Sequence, residues 1–243
     1  MKIAIIGCGW VGIRLAKYLT ERNHHVIATT TSTEKLSDLK KVAAEVHVMD
    51  FTQNFEAEFL NAADIAIFSM PVSRDSWHEG FLNLQTGFKK TFFFSSTGIY
   101  PQENGIYTEN ESEHLRADIL ASEQLVRKKY PETVVLRFGG LMGDERSIAN
   151  FFKHRKPSHP EKKVNYIHYE DILSIVELFL TAEPSEKTYN IVAPEHPTID
   201  EVLNHTTEDK STYNEENTGR IISPKLFIKE FNYTFIHPNP KYF

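Results

Sequence analysis

Along the first 140 residues, short unbroken apolar runs alternate with segments whose apolar positions recur every three or four residues. The runs fall at 2–6, 25–30, 45–49, 64–70, 91–95 and 133–138, and the fifth carries Phe92-Phe93-Phe94 in a row. A strand with no polar alternation is covered on both faces, so these runs predict a parallel sheet. The intervening segments predict helices at 11–22, after Thr33, around Trp77, Phe81, Leu84 and Phe88, and at 114–129. Between the third and fourth runs lies an apolar-periodic piece with Phe55, Phe59 and Leu60. Alternation of this kind predicts an α/β fold built on a doubly wound parallel sheet.

Beyond Gly140 the rhythm breaks. Residues 143–163 are polar and basic, with two prolines and no core face. The pattern resumes with strands at 164–167 and 189–192, helices at 171–182 and 223–231, a weak helix at 199–205 and a last strand at 233–236. Residues 206–220 are charged and almost without apolar side chains, which predicts a mobile excursion. The organisation expected is a core over 1–140 and a small C-terminal region over 141–243, with 164–193 returning to the core.

Composition narrows the function classes. The 243 residues carry 27 Lys and Arg against 33 Asp and Glu, a formal charge of −6. A phosphate-backbone binder carries a basic excess, so no nucleic-acid partner is expected. Cys8 is the single cysteine, which excludes an internal disulfide framework and a multi-cysteine zinc site, and fits a reducing compartment. No run of 18 apolar residues occurs, so no membrane partner is expected. Three glycines and Trp10 interrupt the apolar N-terminus, and no small-residue cleavage site precedes Glu21-Arg22, which argues against a signal peptide. A soluble cytoplasmic protein acting on a small molecule is the expectation; nothing in the chain specifies an oligomeric state.

Gly7-Cys8-Gly9-Trp10-Val11-Gly12 is G-x-G-x-x-G, set directly between the first strand and the first helix. That context is what a dinucleotide pyrophosphate requires. Gly7 makes the tight turn, Gly9 lets the backbone approach the phosphates, and Gly12 packs helix on strand. The helix N-terminus, with Trp10 and Val11, then faces the anion. A glycine turn without a ligand is the plainer alternative, but three glycines at this spacing are destabilising without a reason. The end of the second strand selects the cofactor: a carboxylate there holds a ribose 2′-hydroxyl, a cation a 2′-phosphate. Here the chain reads Thr29-Thr30-Thr31-Ser32, and the first acid, Glu34, belongs to the next helix. Thr30, Thr31 and Ser32 do not repel a phosphate, and Lys35 or Arg14 are candidates to meet one, so NADP is favoured over NAD.

After the fifth strand comes Phe94-Ser95-Ser96-Thr97-Gly98-Ile99-Tyr100. Together with the glycine motif it resembles the short-chain dehydrogenase/reductase superfamily, particularly its extended epimerase and dehydratase branch. Three further stretches are similar to elements of that family: Leu136-Arg137-Phe138-Gly139-Gly140, Val164-Asn165-Tyr166-Ile167-His168-Tyr169-Glu170-Asp171, and Tyr189-Asn190-Ile191-Val192. The resemblance spans residues 1–200. It implies a Rossmann-type fold, NAD(P), and an oxidoreductase or epimerase-like step on a small carbonyl or sugar-type substrate. It also implies Asp50, ending the third strand, as a partner of the adenine amino group, against a plain solvated turn carboxylate. Met70, ending the fourth strand, Pro71 after it and Ser95 at the end of the fifth complete the expected cofactor set.

One departure from the family matters. Its acid/base pair, Tyr-x-x-x-Lys, opens a helix that runs on to a Glu. Aligning on Glu123 puts Leu115 and Ile119 at those positions, and neither exchanges a proton. The chain is similar instead to small atypical members that keep the G-C-G-W-V-G opening without the pair. Ser96, at the family's catalytic Ser/Thr position, is then a donor to a substrate carbonyl or only to nearby backbone. Tyr100 and Tyr107 are candidate replacement acids, against a role as loop aromatics. His168, beside the candidate helix N-cap Asp171, reads as a structural hydrogen-bonding residue. The run Lys153-His154-Arg155-Lys156, with Arg146, lies by the resemblance on the substrate side, though such runs are commonly just solvated. Cys8 reads as a small packed residue. None of the eleven histidines shows an H-E-x-x-H or comparable metal spacing. Two functions remain: an NAD(P)-dependent enzyme, which is favoured, and a catalytically silent dinucleotide-binding sensor or assembly protein.

Overall fold

Ile3, Ala4, Ile5 and Ile6 are all at most 1% exposed in strand β1 (Lys2–Ile6), as a run without polar alternation requires. A computed structural model describes residues 1–203 and 219–243. After β1 follow helix α1 (Trp10–Glu21), β2 (His25–Thr30), α2 (Leu36–Leu39), β3 (Glu45–Val48), β4 (Ile65–Phe68), α3 (His78–Leu82) and β5 (Lys90–Ser96). Next come β6 (Gly105–Tyr107), α4 (Ala117–Lys129), β7 (Val134–Phe138), β8 (Gly140–Met142) and α5 (Ile148–Phe152). The chain ends with β9 (Tyr166–His168), α6 (Tyr169–Thr181), β10 (Thr188–Ile191), α7 (Ile199–Leu203), β11 (Arg220–Ile222) and α8 (Lys225–Phe231). Among the described residues no helix is long and apolar enough to cross a membrane.

Seven strands form one sheet in the order β10-β7-β5-β4-β1-β2-β3. The pairings β1–β2, β1–β4, β2–β3 and β4–β5 are parallel. The order reverses between β1 and β4, beside the glycine turn that leaves β1. This is the doubly wound Rossmann-type arrangement, and its switch point is where such sheets leave a crevice.

Packing divides the chain into two units. The first comprises Met1–Ser96, Ala117–Leu136 and Val176–Thr188. In it α1 buries Val11, Leu15 and Leu19 at spacings of four, with Gly12 and Ala16 beside them. An aromatic group seals another part of this core: Phe68 and Trp77 both meet Phe81 edge-on, at centroid distances of 5.1 and 5.5 Å. The second unit comprises Thr97–Arg116, Arg137–Ile175 and Tyr189–Phe243. It holds two parallel pairs, β6–β11 and β8–β9, and a small core of Ile148, Val164 and Val202. The Asn165 side chain brackets β11, donating to the Arg220 carbonyl at 3.0 Å and accepting from the Ile222 N–H at 2.7 Å.

Several elements differ from expectation, each for a local reason. Residues 233–236 form no strand: the Ile236 N–H donates to the Asp171 carboxylate at 2.8 Å, so a side chain takes the place of a sheet neighbour. The helix expected from Trp77 to Phe88 is the short α3. Asn83, Thr86 and Gly87 are weak helix formers, and Leu84 and Phe88 join the same core without a helix. The helix after Thr33 shrinks to a 3₁₀ turn, Thr33–Lys35, and the single turn α2, where Leu39 alone is buried. The Phe55–Phe59–Leu60 piece contains only a 3₁₀ stretch, Glu58–Ala62. The helix expected from residue 114 starts at Ala117, because His114 has a φ of +53°. Of the charged stretch 206–220, residues up to 218 lie outside the described residues, as do the last two of the expected helix 199–205. Arg220 belongs to strand β11 rather than to an excursion.

Candidate functional site

The glycine turn is built from β1, α1 and the end of β2. Gly7 has a φ of +89°, a left-handed conformation that favours glycine, and a Cβ there would meet the Ser69 carbonyl oxygen at 3.0 Å. The turn is pinned by one threonine: the Gly7 N–H donates to Thr29 Oγ1 at 3.1 Å, and the Cys8 N–H donates to the Thr29 carbonyl at 2.8 Å. Gly9 is the N-cap of α1 and contributes no side chain, so the first-turn N–H groups of the helix receive no side-chain cap from it. A Cβ on Gly9 would meet nothing within 4 Å, whereas one on Gly12 would touch Cys8 at 3.4 Å. Gly9 thus faces open space and Gly12 faces packing.

That open space is a cleft of about 380 Å³, and all of it belongs to the first unit. Of the residues expected to hold a cofactor, Gly7, Gly9, Thr30, Thr31, Asp50, Met70 and Pro71 line it. Trp10, Val11, Gly12, Ser32 and Ser95 do not. Val11 is buried in the core. Ser95 is also buried and donates to Glu123 Oε1 at 2.5 Å, a carboxylate only 2% exposed. The Ser32 N–H donates to Thr30 Oγ1 at 3.2 Å, closing a local turn. Arg14 is tied to its own helix, its guanidinium 4.0 Å from the Trp10 ring centroid and its Nη1 donating to the Trp10 carbonyl at 3.0 Å. Cys8 is 5% exposed, and burial pushes its thiol up to about 12, so it is the inert packed residue expected.

Two cations line the cleft, Lys35 and Arg74, and both are exposed. Lys35 was legible as a candidate. Arg74 was not, although a cation in the loop leaving β4, beside the switch point, is the signal that points to it. Asp50 is the cleft's one carboxylate, and its Oδ1 accepts the Thr52 N–H at 2.9 Å and the Thr52 hydroxyl at 2.8 Å. Trp77 fixes the far wall by donating its indole N–H to the Pro71 carbonyl at 2.9 Å. The observed geometry fits a dinucleotide: a cradle that only lacks a Cβ, a helix N-terminus without a side-chain cap, and cations at the rim.

The candidate catalytic residues fall differently. Ser96 is half-buried at the carboxyl end of β5. Tyr100, just after a 3₁₀ turn, and Tyr107, the last residue of β6, belong to the second unit and are buried aromatics. Tyr100 is 1% exposed; its hydroxyl donates to Asn190 Oδ1 and accepts from Arg137 Nη1, both at 2.8 Å. Burial raises its pKa above the ordinary phenol value. Tyr107 is also buried and donates to the Glu103 carbonyl at 3.2 Å. Both hydroxyls are thus hydrogen-bonded within the fold. His168 Nδ1 accepts the Glu170 N–H at 3.3 Å, a structural bond. Lys153, His154, Arg155 and Lys156 are exposed, with Arg155 stacked 4.1 Å from the Phe151 centroid.

A family model described as "NADP oxidoreductase coenzyme F420-dependent" matches residues 2–75. Protein YeeZ of Escherichia coli strain K12 is 23% identical over 269 residues, covering 98% of this chain and 97% of its own. Among solved structures, a conserved protein of unknown function from Silicibacter pomeroyi superposes with a TM-score of 0.76 at 16% identity, covering 99% of this chain and 95% of that one. UDP-glucuronic acid 4-epimerase from Bacillus cereus, solved in complex with NAD, superposes with a TM-score of 0.73 at 16% identity, covering 99% and 94%. UDP-glucose 4-epimerase from Thermotoga maritima, solved with UDP-glucose, gives 0.71 at 14%, covering 99% and 96%. These likenesses show the fold: the chain shares the Rossmann-type α/β arrangement of the solved epimerase structures.

Proposed function

We propose that the cleft over Gly7 and Gly9 holds a nicotinamide dinucleotide, used in an oxidoreductase or epimerase-like step on a small carbonyl or sugar-type substrate. The observation that carries this reading is the open face of Gly9 at the N-terminus of α1, in a cleft at the sheet's switch point. When bound, the nicotinamide supplies or accepts hydride. In this reading the first turn of α1 receives the pyrophosphate, and Asp50, which lines the same cleft, meets the adenine end. No carboxylate stands at the end of β2, while Lys35 and Arg74 line the same cleft, which favours NADP over NAD. Ser96 donates a hydrogen bond to the substrate carbonyl.

Calorimetric titration with NAD, NADH, NADP and NADPH tests this. The reading expects a micromolar Kd, about −8 kcal/mol, for the phosphorylated forms. It also expects Lys35→Ala combined with Arg74→Ala to remove their advantage over NAD and NADH. An intrinsic preference for NAD overturns the choice of cofactor, and no heat with any of the four overturns the reading itself.

One observation favours a second reading, a silent dinucleotide-binding protein. The Tyr100 hydroxyl is locked, and no tyrosine in the chain has a lysine four positions on. Intact NADPH binding without turnover across small carbonyl and sugar substrates selects that reading.

A further inference from the structure

Two histidines and a glutamate meet at the start of α6, far from the glycine turn in sequence. His168 closes β9, Glu170 lies in the first turn of α6, and His237 comes from the segment after α8. Their ligand atoms all lie within 4.8 Å of one another. His237 Nε2 is 2.6 Å from Glu170 Oε2, and His168 Nδ1 is 3.7 Å from the same oxygen. The two imidazole centroids are 3.8 Å apart. Two imidazoles and a carboxylate are the donor set of a borderline divalent transition metal.

The cluster is held by bonds outside itself. Asp171, fully buried, accepts the Ile236 N–H at 2.8 Å, the His237 N–H at 3.0 Å and the Tyr233 hydroxyl at 3.0 Å. The backbone that carries His237 is thereby fastened to the helix turn that carries Glu170, and His168 precedes that turn directly. The Phe243 ring lies against both imidazoles, at 5.4 and 5.9 Å between centroids. Outer contacts of this kind are what orient metal ligands.

The distances are close to those a metal needs. Zinc bonds of about 2.0–2.1 Å in a tetrahedron set ligand atoms about 3.3 Å apart. The His168–Glu170 separation of 3.7 Å closes by about 0.4 Å to reach that, and the His237–Glu170 separation of 2.6 Å opens by about 0.7 Å. Rotation of the exposed Glu170 side chain accommodates both. The Glu170 N–H on His168 Nδ1 is a long bond, at 3.3 Å, and gives way to the metal.

We propose that His168, Glu170 and His237 bind one zinc-type divalent cation, with water as fourth ligand, and that the cation ties residues 233–243 to the start of α6. The test uses the untagged chain stripped with chelator, titrated with Zn²⁺ by calorimetry and with Co²⁺ by visible absorption. Expected are one equivalent at micromolar Kd, the intense visible bands of four-coordinate Co²⁺, and a zinc-dependent rise in Tm. Glu170→Gln and His237→Ala each weaken binding by at least about tenfold. Should His237→Ala fail to fold, His237→Gln decides in its place, since its amide keeps a donor beside Glu170. His47→Ala, in the separate His25–Glu45–His47 cluster, leaves binding unchanged. No saturable binding overturns the proposal, as does binding that survives Glu170→Gln and His237→Gln or is lost in His47→Ala.

Discussion

The Tyr100 hydroxyl sits between a guanidinium that donates to it and an amide oxygen that accepts from it, in a site 1% exposed. Removing that oxygen takes one hydrogen bond from each neighbour in a buried setting. Tyr100→Phe therefore costs stability, about 1–3 kcal/mol, and lowers Tm by several degrees. Ser96→Ala is expected to behave in the opposite way, lowering turnover of any substrate by about tenfold or more while Tm and dinucleotide affinity hold. Melting curves, titrations and rates on the two variants check this; unchanged turnover in Ser96→Ala sinks the assigned role. Residues whose roles are set by their own backbone were legible in the sequence. Gly7 and Gly9 are such cases, because turn and helix start follow one another directly. Thr29 was not, since its bond to the Gly7 N–H depends on how β2 lies beside β1. The bonds of Tyr100 were hidden for the same reason: its partners Arg137 and Asn190 come from distant segments.

At the scale of elements, the buried parallel strands were the most legible, because a run such as Phe92-Phe93-Phe94 has only one environment that suits it. Short elements were not. The strands β6, β8 and β11 have three residues each, too few to show a period. Residues 233–236 look like a strand because they alternate tyrosine, threonine, phenylalanine and isoleucine. They are held in another way: Asp171 supplies the acceptors a neighbouring strand would have supplied. Replacing Asp171 with Asn leaves one acceptor oxygen where two backbone N–H groups and a hydroxyl now converge, and points an amide donor at one of them. Asp171→Asn is expected to lose about 2–3 kcal/mol and to raise amide exchange at Ile236 and His237 before other sites. Exchange protection unchanged at those two amides contradicts this account of the segment.

At the scale of the whole molecule, the doubly wound parallel sheet was legible because alternation of buried strands and helices leaves few architectures. The central claim is that the open face of Gly9 exists for a dinucleotide. Gly9 gives an unusually clean test. Its φ of −90° and ψ of −152° are open to any residue, and a Cβ there meets nothing within 4 Å. Gly9→Asp therefore folds with stability within about 1 kcal/mol of the native chain. It also places a side chain and a negative charge where the pyrophosphate belongs. The decisive measurement is NADPH binding by calorimetry on the native chain and on Gly9→Asp, with Tm recorded for both. The account predicts micromolar binding to the native chain, at least about 100-fold weaker binding to Gly9→Asp, and nearly equal Tm values. NADPH binding of equal strength to both chains would contradict it.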